Sequence, residues 1–314
     1  MHEFFTRFVV LKNEKTGLPY TVGGLTQKGP HFGEDQNNQD AMSILVSENI
    51  IIAVVCDGCS GGSDSSSNTY SYNEFAAQTI SVLAIKYIQE YIKKEDVIND
   101  DIALFLEDHL LSDLEKMITI FDNGILNIKD YLVMELFMST VIISIIYKGK
   151  WYVLHGGDGV VIIDDNITNL KDYSGIYISN KLHSKNGCDS NILKIIGKGD
   201  TSNLNHILIA TDGIYDFIKK DKEKFISICS ELENRSTNYN KGYDEKFLRE
   251  FNKRFVRQWE KKERTDHDDR TFILVRRLPF TEEAKLNITQ AKEFINEKCD
   301  IPMEETTKND KVNT

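Results

Sequence analysis

A series of aspartates, each set at a turn beside an apolar run, constrains this chain more than any other feature: Asn38-Gln39-Asp40, Asp57-Gly58, Asp158-Gly159, Asp212-Gly213 and Asp268-Asp269-Arg270-Thr271. Motifs so far apart in sequence converge only in a fold whose strand ends meet at one edge. Like charges held close in a low dielectric repel strongly unless something neutralises them, and a cluster of divalent cations is the expected neutraliser. Carboxylates, backbone carbonyls and water suit hard ions such as Mg²⁺ or Mn²⁺, whereas zinc would call for thiolates or imidazoles. Two such ions can share a water, lower its pKa and present hydroxide in line with a phosphoryl group. Hydrolysis of that kind needs no protein nucleophile, and the chain has no Gly-x-Ser-x-Gly elbow. It also lacks a Gly-x-x-x-x-Gly-Lys-[Ser/Thr] phosphate loop, which argues against an NTPase. Each aspartate has a plainer explanation. An Asp-Gly pair between apolar runs is a hairpin signal, so residues 151–163 would then turn back near Asp158-Gly159. Asp57-Gly58 and Asp212-Gly213 resist that explanation, because both follow fully apolar strands.

The chain has 314 residues, 40% of them hydrophobic and 28% charged, with a mean hydropathy of -0.36. That suffices for one large domain or two small ones with a sizeable core. A net charge of -11 argues against nucleic acid or an anionic membrane surface as partner and leaves protein or a small molecule. No apolar run is long enough to span a membrane, and the N-terminus lacks the regions of a secretion signal, so a cytoplasmic location is expected. Five cysteines without framework spacing agree with a reducing compartment. Cys56 and Cys59 form a lone CxxC, read as one strand-end thiol and one loop thiol rather than half a zinc site.

Apolar and β-branched runs predict strands at residues 4–11, 20–26, 41–46, 50–56, 140–147, 151–155, 160–163, 192–196, 207–211 and 271–278. Short turns between the central ones imply antiparallel pairing. Helical periodicity predicts paired helices at residues 75–88 and 101–120, further helices from about 222 and over 245–262, and one at 282–298 before a polar tail. Strand runs interrupted by paired helices suggest an α+β fold in four layers (α/β/β/α), with two antiparallel sheets packed face to face and helices outside. Residues 1–280 would form the main domain and 281–314 a C-terminal helix and tail. No glycine-rich dinucleotide fingerprint opens a helix, which speaks against a Rossmann arrangement.

In order along the chain, the motifs resemble those of the metal-dependent protein phosphatases of type 2C, the PPM family, in its bacterial subset. Asn38-Gln39-Asp40-Ala41 resembles the first acidic motif, and Val54-Val55-Cys56-Asp57-Gly58 with Gly61-Gly62 the second. Ser139-Thr140 and Gly157-Asp158-Gly159 resemble the central strand pair, Ala210-Thr211-Asp212-Gly213 the most recognisable signature, and Asp268-Asp269-Arg270-Thr271 the last. The resemblance implies a phosphoserine/phosphothreonine protein phosphatase with two or three Mn²⁺ or Mg²⁺ ions and a metal-bridging hydroxide. It implies that Asp57 bridges two ions, that the Gly58 carbonyl binds one, and that Asp212 and Asp268 complete the other. Asp40 would act through water, and Asp158 would share a third ion with Asp212. The implied partners are a phosphoprotein substrate and an opposing Ser/Thr kinase or its targets.

The chain departs from the family in several places. Cys59 stands where eukaryotic relatives carry a histidine, and Gln39 where a carboxylate usually precedes Asp40. Asp35 replaces the arginine that grips phosphate and would repel it there. His31 is the candidate replacement, since an imidazole can bind a phosphate oxygen. His267, beside Asp268, is a candidate general acid. His155 is read as a strand residue packed under the hairpin. Asp35 and the absent histidine motivate a second hypothesis, a catalytically weak phosphatase-like module that binds a signalling partner. The retained aspartates count against it, because buried carboxylates that repel one another have little use without a metal.

Overall fold

Strand β4 (Ile50–Asp57) is buried at every residue before Asp57, which requires cover on both faces. The faces have different partners, as the two-residue period of a strand allows. Ile51, Ala53 and Val55 pack with Val22, Ile142, Ile209 and Ile273, whereas Ile52, Val54 and Cys56 pack with Ile80, Ile88, Leu106 and Leu110. The first core lies between two sheets and the second between a sheet and helices, so β4 is the shared wall of a layered α+β fold.

The computed structural model describes residues 2–10, 19–27, 38–47, 49–59, 72, 74–122, 129–164, 166–173, 176–182, 191–215 and 269–277. The chain divides into two compact units, Met1–Leu278 and Pro279–Thr314, and all the described residues belong to the first. Its strands are β1 (His2–Val10), β2 (Pro19–Gln27), β3 (Asp40–Val46), β4, β5 (Val141–Tyr147), β6 (Lys150–Gly156), β7 (Val160–Ile163), β8 (Asn166–Asn169), β9 (Lys194–Asp200), β10 (His206–Ala210) and β11 (Arg270–Arg277). One sheet runs β1-β2-β11-β10-β7-β8 and the other β3-β4-β5-β6-β9, with antiparallel pairing throughout.

Helices α1 (Glu74–Glu95), α2 (Ile102–Asp122) and α3 (Lys129–Leu136) lie on the second sheet's outer side. Along α1 the buried positions Ala77, Ile80, Ala84, Ile88 and Tyr91 follow helical spacing. The expected helices at 222–262 and 282–298 lie outside the described residues. Among those described, no helix is long and apolar enough to cross a membrane.

The fully buried carboxylate of Glu107 on α2 accepts the Ile192 and Leu193 amides, each at 2.8 Å. It also pairs with the Lys181 ammonium. A buried carboxylate is tolerated when its oxygens are satisfied in this way, and here it fixes the approach to β9.

Among the described residues, one helix and one strand escape the sequence reading. α3 is a single short helix whose Leu132 and Val133 pack against the other helices, too brief to show a period of its own. β8 is an edge strand exposed at all four residues, so it carries no apolar alternation.

The larger correction concerns residues 151–163. β6 and β7 are not a hairpin: β6 pairs with β5 and β9, β7 with β10 and β8, and the chain crosses between sheets at Gly157-Asp158-Gly159. The hairpin is instead β5–β6, turning at Lys148 (φ 45°) and Gly149 (φ 78°), the two positive φ values of a tight primed turn. At Gly159, φ is 132° and an added Cβ would lie 2.7 Å from the Ala210 carbonyl oxygen, which excludes other residues from the crossing.

Candidate functional site

Asp40 opens β3, Asp57 closes β4, and the two are direct partners in the antiparallel register. Residues so paired project to the same face with their Cβ atoms about 5 Å apart. Parity fixes that face. Asp57 continues the series Ile51, Ala53, Val55, and Asp40 begins the series Met42, Ile44, Val46, and both series pack in the core between the sheets. The two carboxylates therefore lie at the end of the sandwich, where apolar packing stops. Asp40 is buried and Asp57 half-buried.

Neighbouring backbone holds the Asp57-Gly58 turn. The Thr140 N–H donates to the Asp57 carbonyl at 2.8 Å, the Asp57 N–H donates to Thr140 Oγ1 at 3.2 Å, and Gly58 bridges Ser139. The Gly58 N–H donates to the Gln39 carbonyl at 3.1 Å.

The opposite sheet supplies the second half. Thr211 follows the last residue of β10, and its hydroxyl donates to Asp40 Oδ2 at 2.8 Å. Thr211 Oγ1 itself accepts the Thr271 N–H at 3.0 Å. Thr271 Oγ1 lies 2.6 Å from Thr26 Oγ1, and Thr26 Oγ1 accepts from Asn38 Nδ2 at 2.8 Å. Asn38 Oδ1 in turn accepts the Asp40 N–H at 3.1 Å. The circuit returns to its origin and ties Asp40 to β2, β10 and β11, so Asp40 is oriented by both sheets.

Asp212 begins the 3-10 turn Asp212–Ile214 immediately beyond Thr211. A Cβ on Gly213 would clash with the Asp269 carbonyl oxygen, so only glycine lets the Asp212 turn lie against β11. The Asp269 carboxylate accepts the Gln39 N–H.

Cys59 follows the Asp57-Gly58 turn and is held as a thiol. Burial raises its pKa well above the ordinary thiol value; the Asp57 carboxylate adds to this, a hydrogen bond with the Tyr177 side chain opposes it, and Asp158 and Asp212 add further. Burial, then Asp40 and Asp57, likewise hold the Cys56 thiol up. Asp57, Asp158 and Asp212, from three different turns, thus act through space on one side chain, while Asp40 and Asp57 act on another. Both cysteines are free thiols, and at these pKa directions neither is a thiolate nucleophile.

The donor chemistry fits a hard divalent cation, since two carboxylates are paired at a sheet end with backbone carbonyls beside them. Among the described residues, no group of three or more His, Cys, Asp or Glu side chains is close enough to hold an ion. Asp268, His31, Asp35 and His267 lie outside the described residues. His155 is buried on β6, with Nδ1 3.0 Å from the Gly157 carbonyl oxygen and its ring edge-on to Tyr173 at 4.5 Å. It is a packed strand residue as expected, although no hairpin covers it.

Sequence reasoning did not assign roles to Thr26, Thr211, Thr271, Asn38 or Tyr177. Thr211 and Thr271 adjoin the aspartate motifs, and a hydroxyl one residue from a strand-end carboxylate was the available signal. Nothing local marks Thr26 or Tyr177.

A family model described as Protein phosphatase 2C matches residues 29–251. No curated protein sequence matches the chain. Similar solved structures include a bacterial serine phosphatase at 14% identity, covering 83% of this chain and 98% of that chain with a TM-score of 0.48. RsbX in complex with magnesium is similar at 13% identity, covering 87% and 100%, with a TM-score of 0.45. The serine/threonine phosphatase Stp1 from Staphylococcus aureus is similar at 15% identity, covering 81% and 94%, with a TM-score of 0.46.

Proposed function

The chain belongs to the protein phosphatase 2C family, and we propose that it is a Mn²⁺- or Mg²⁺-dependent phosphatase of phosphoserine and phosphothreonine in proteins. The observation that carries this reading is the register of β3 against β4. It sets Asp40 opposite Asp57 at the end of the sandwich, where Thr211 of the other sheet orients Asp40. Carboxylates set side by side at a sheet end are donors of the kind a hard divalent cation takes.

Asp57, the Gly58 carbonyl, Asp212 and Asp268 would hold two ions, with Asp40 in support and Asp158 toward a third. When bound, such ions supply Lewis acidity to phosphoryl oxygens and lower the pKa of an attacking water. The protein's share is orientation: Thr140 pins the Asp57 backbone, Thr211 turns the Asp40 carboxylate, and Gly213 lets the Asp212 turn close on β11. His31 is assigned to the substrate phosphate in place of the position taken by Asp35. The substrate is a phosphoprotein, with a Ser/Thr kinase or its targets on the opposing side. The cysteine pattern supports a cytoplasmic location.

Hydrolysis of a phosphothreonine peptide, assayed with Mn²⁺, with Mg²⁺ and with chelator, tests the proposal, with Asp212→Asn controlling for contaminating activity. Turnover that needs the ion and is lost in the variant is expected. Metal binding without turnover would replace this function with that of a phosphatase-like binding module, the reading that Asp35 and Cys59 favour.

A further inference from the structure

We propose that His155 is a positioning residue for Asp158, setting the direction of the peptide that joins Gly157 to Asp158 where the chain crosses between the sheets. The inference rests on the reading of Asp158 as a ligand of a third ion.

Asp158 stands between Gly157 at φ 102° and Gly159 at φ 132°. Neither glycine has a side chain to restrict the backbone, so the direction of the carboxylate depends on what holds the peptides on either side. Both are held. His155 Nδ1 lies 3.0 Å from the Gly157 carbonyl oxygen, and the Leu170 N–H donates to the Gly159 carbonyl at 2.9 Å. The first contact acts more directly, because the Gly157 carbonyl and the Asp158 N–H belong to one planar group. Fixing that oxygen fixes the plane from which the Asp158 Cα departs.

A carbonyl oxygen only accepts, so Nδ1 carries the proton and the contact selects one tautomer. Nε2 is buried and has no hydrogen-bond partner among the described residues. An imidazole buried for packing alone would cost more than a hydrocarbon of its size; what it supplies here is a donor aimed at Gly157. The ring is oriented by Tyr173, edge-on at 4.5 Å, and the Tyr173 N–H donates to the Leu170 carbonyl at 2.8 Å. One short turn, Leu170 to Tyr173, thus orients the imidazole and also holds Gly159. The crossing is seated against the Asp57 turn as well. A Cβ on Gly157 would lie 2.8 Å from Thr140 Cβ, and Thr140 makes the two hydrogen bonds that pin the Asp57 backbone.

The test sets His155→Leu against His155→Asn, with Asp158→Asn and the double variant His155→Leu/Asp158→Asn beside them. The readouts are Mn²⁺ binding by calorimetry and the NMR order parameter of the Asp158 amide in the metal-free protein. Leucine and asparagine are nearly alike in size and shape, and both give up the ring packing on Tyr173. Only asparagine keeps a donor near the place of Nδ1. His155→Leu should weaken the Mn²⁺ site that Asp158→Asn removes by about three- to tenfold, the loss of one hydrogen bond, and should lower the order at Asp158. His155→Asn should keep the parental affinity and order, although a buried amide gives it no advantage over leucine in melting temperature. Combined with Asp158→Asn, His155→Leu should weaken binding no further. A purely structural role would make binding follow the melting temperature, so equal Mn²⁺ binding in the leucine and asparagine variants overturns the proposal, as does an unchanged isotherm or order parameter in His155→Leu. If Asp158→Asn binds Mn²⁺ as its parent does, the reading of Asp158 fails and the role of His155 fails with it, without touching the reading of Asp57. Turnover is not among the readouts, so a chain that binds Mn²⁺ without hydrolysing a phosphopeptide still decides the question.

Discussion

Thr211 shows how one hydroxyl joins two sheets. Its Oγ1 gives a hydrogen bond to a buried carboxylate and takes one from a backbone amide of the neighbouring strand, so Thr211→Val would leave Asp40 Oδ2 and the Thr271 N–H without this partner while barely changing side-chain volume. A loss of about 1–3 kcal/mol is expected in urea unfolding, with weaker Mn²⁺ binding, whereas Thr211→Ser should retain both; equal stability of the valine and serine variants would remove the hydroxyl from this role. His155 gives a pH signature of a different kind. Burial lowers its pKa, the Gly157 carbonyl opposes that, and Lys194 adds to the lowering. With the folded value below the unfolded one, the unfolded chain binds more protons between the two. The contribution of His155 is therefore complete above the ordinary histidine value of about 6.5 and is lost as pH falls from there through the folded value. Urea midpoints measured between about pH 8 and pH 5 should fall less steeply for His155→Gln than for the unsubstituted protein, and parallel curves would show that His155 does not titrate on unfolding. At this scale the sequence disclosed the charges and hid their holders. Aspartates at strand ends are visible because a charge beside an apolar run is anomalous, whereas Thr26, Thr211 and Thr271 are ordinary β-branched strand residues until the register places them together.

Two glycine-containing turns, Lys148-Gly149 and Asp158-Gly159, carry similar local signals, yet one closes a hairpin and the other passes the chain from sheet to sheet. Such a signal reports only that the backbone tolerates positive φ; which strand pairs with which is decided by burial far away in sequence. β7 has Val160, Val161 and Ile162 fully buried, and they find cover beside β10 rather than beside β6. The strands and the helix pair α1–α2 were legible because long periodic segments carry their own signal. α3 and β8 were not, the first being short and the second exposed throughout with a single apolar residue, Ile167. The crossing can be tested directly. Gly159→Ala would place a methyl group 2.5 Å from Ile142 Cδ1 and 2.7 Å from the Ala210 carbonyl, on backbone at φ 132°. A destabilisation of roughly 2–4 kcal/mol in urea unfolding is expected, combining strain with overpacking. Because the crossing also carries Asp158 and abuts Ala210, Mn²⁺ affinity should fall as well. A Gly159→Ala protein as stable as its parent would mean that the crossing adopts another path.

On the scale of the whole molecule, the described core between the two sheets is apolar, and at one end of it Asp40 and Asp57 from one sheet lie beside Thr211 from the other. Like charges paired at that end raise the free energy of the fold unless a cation lies between them. Folding stability and ion binding should therefore be linked. Mn²⁺ at about 100 times its dissociation constant should stabilise the native state by roughly 2.7 kcal/mol, an effect that chelator reverses. Asp57→Asn separates the two contributions. In the metal-free protein it removes one of a repelling pair without changing side-chain size, so the unfolding midpoint should stay level or rise slightly. In Mn²⁺ the same substitution should abolish most of the stabilisation and all turnover of a phosphothreonine peptide. A variant whose metal-free midpoint falls sharply would instead make Asp57 a structural residue satisfied by the protein alone. A variant that gains as much stability from Mn²⁺ as its parent would move the ions away from the β3–β4 register. The combination of an unharmed metal-free fold with a lost ion response is expected only if these sheet ends are arranged to receive a cation.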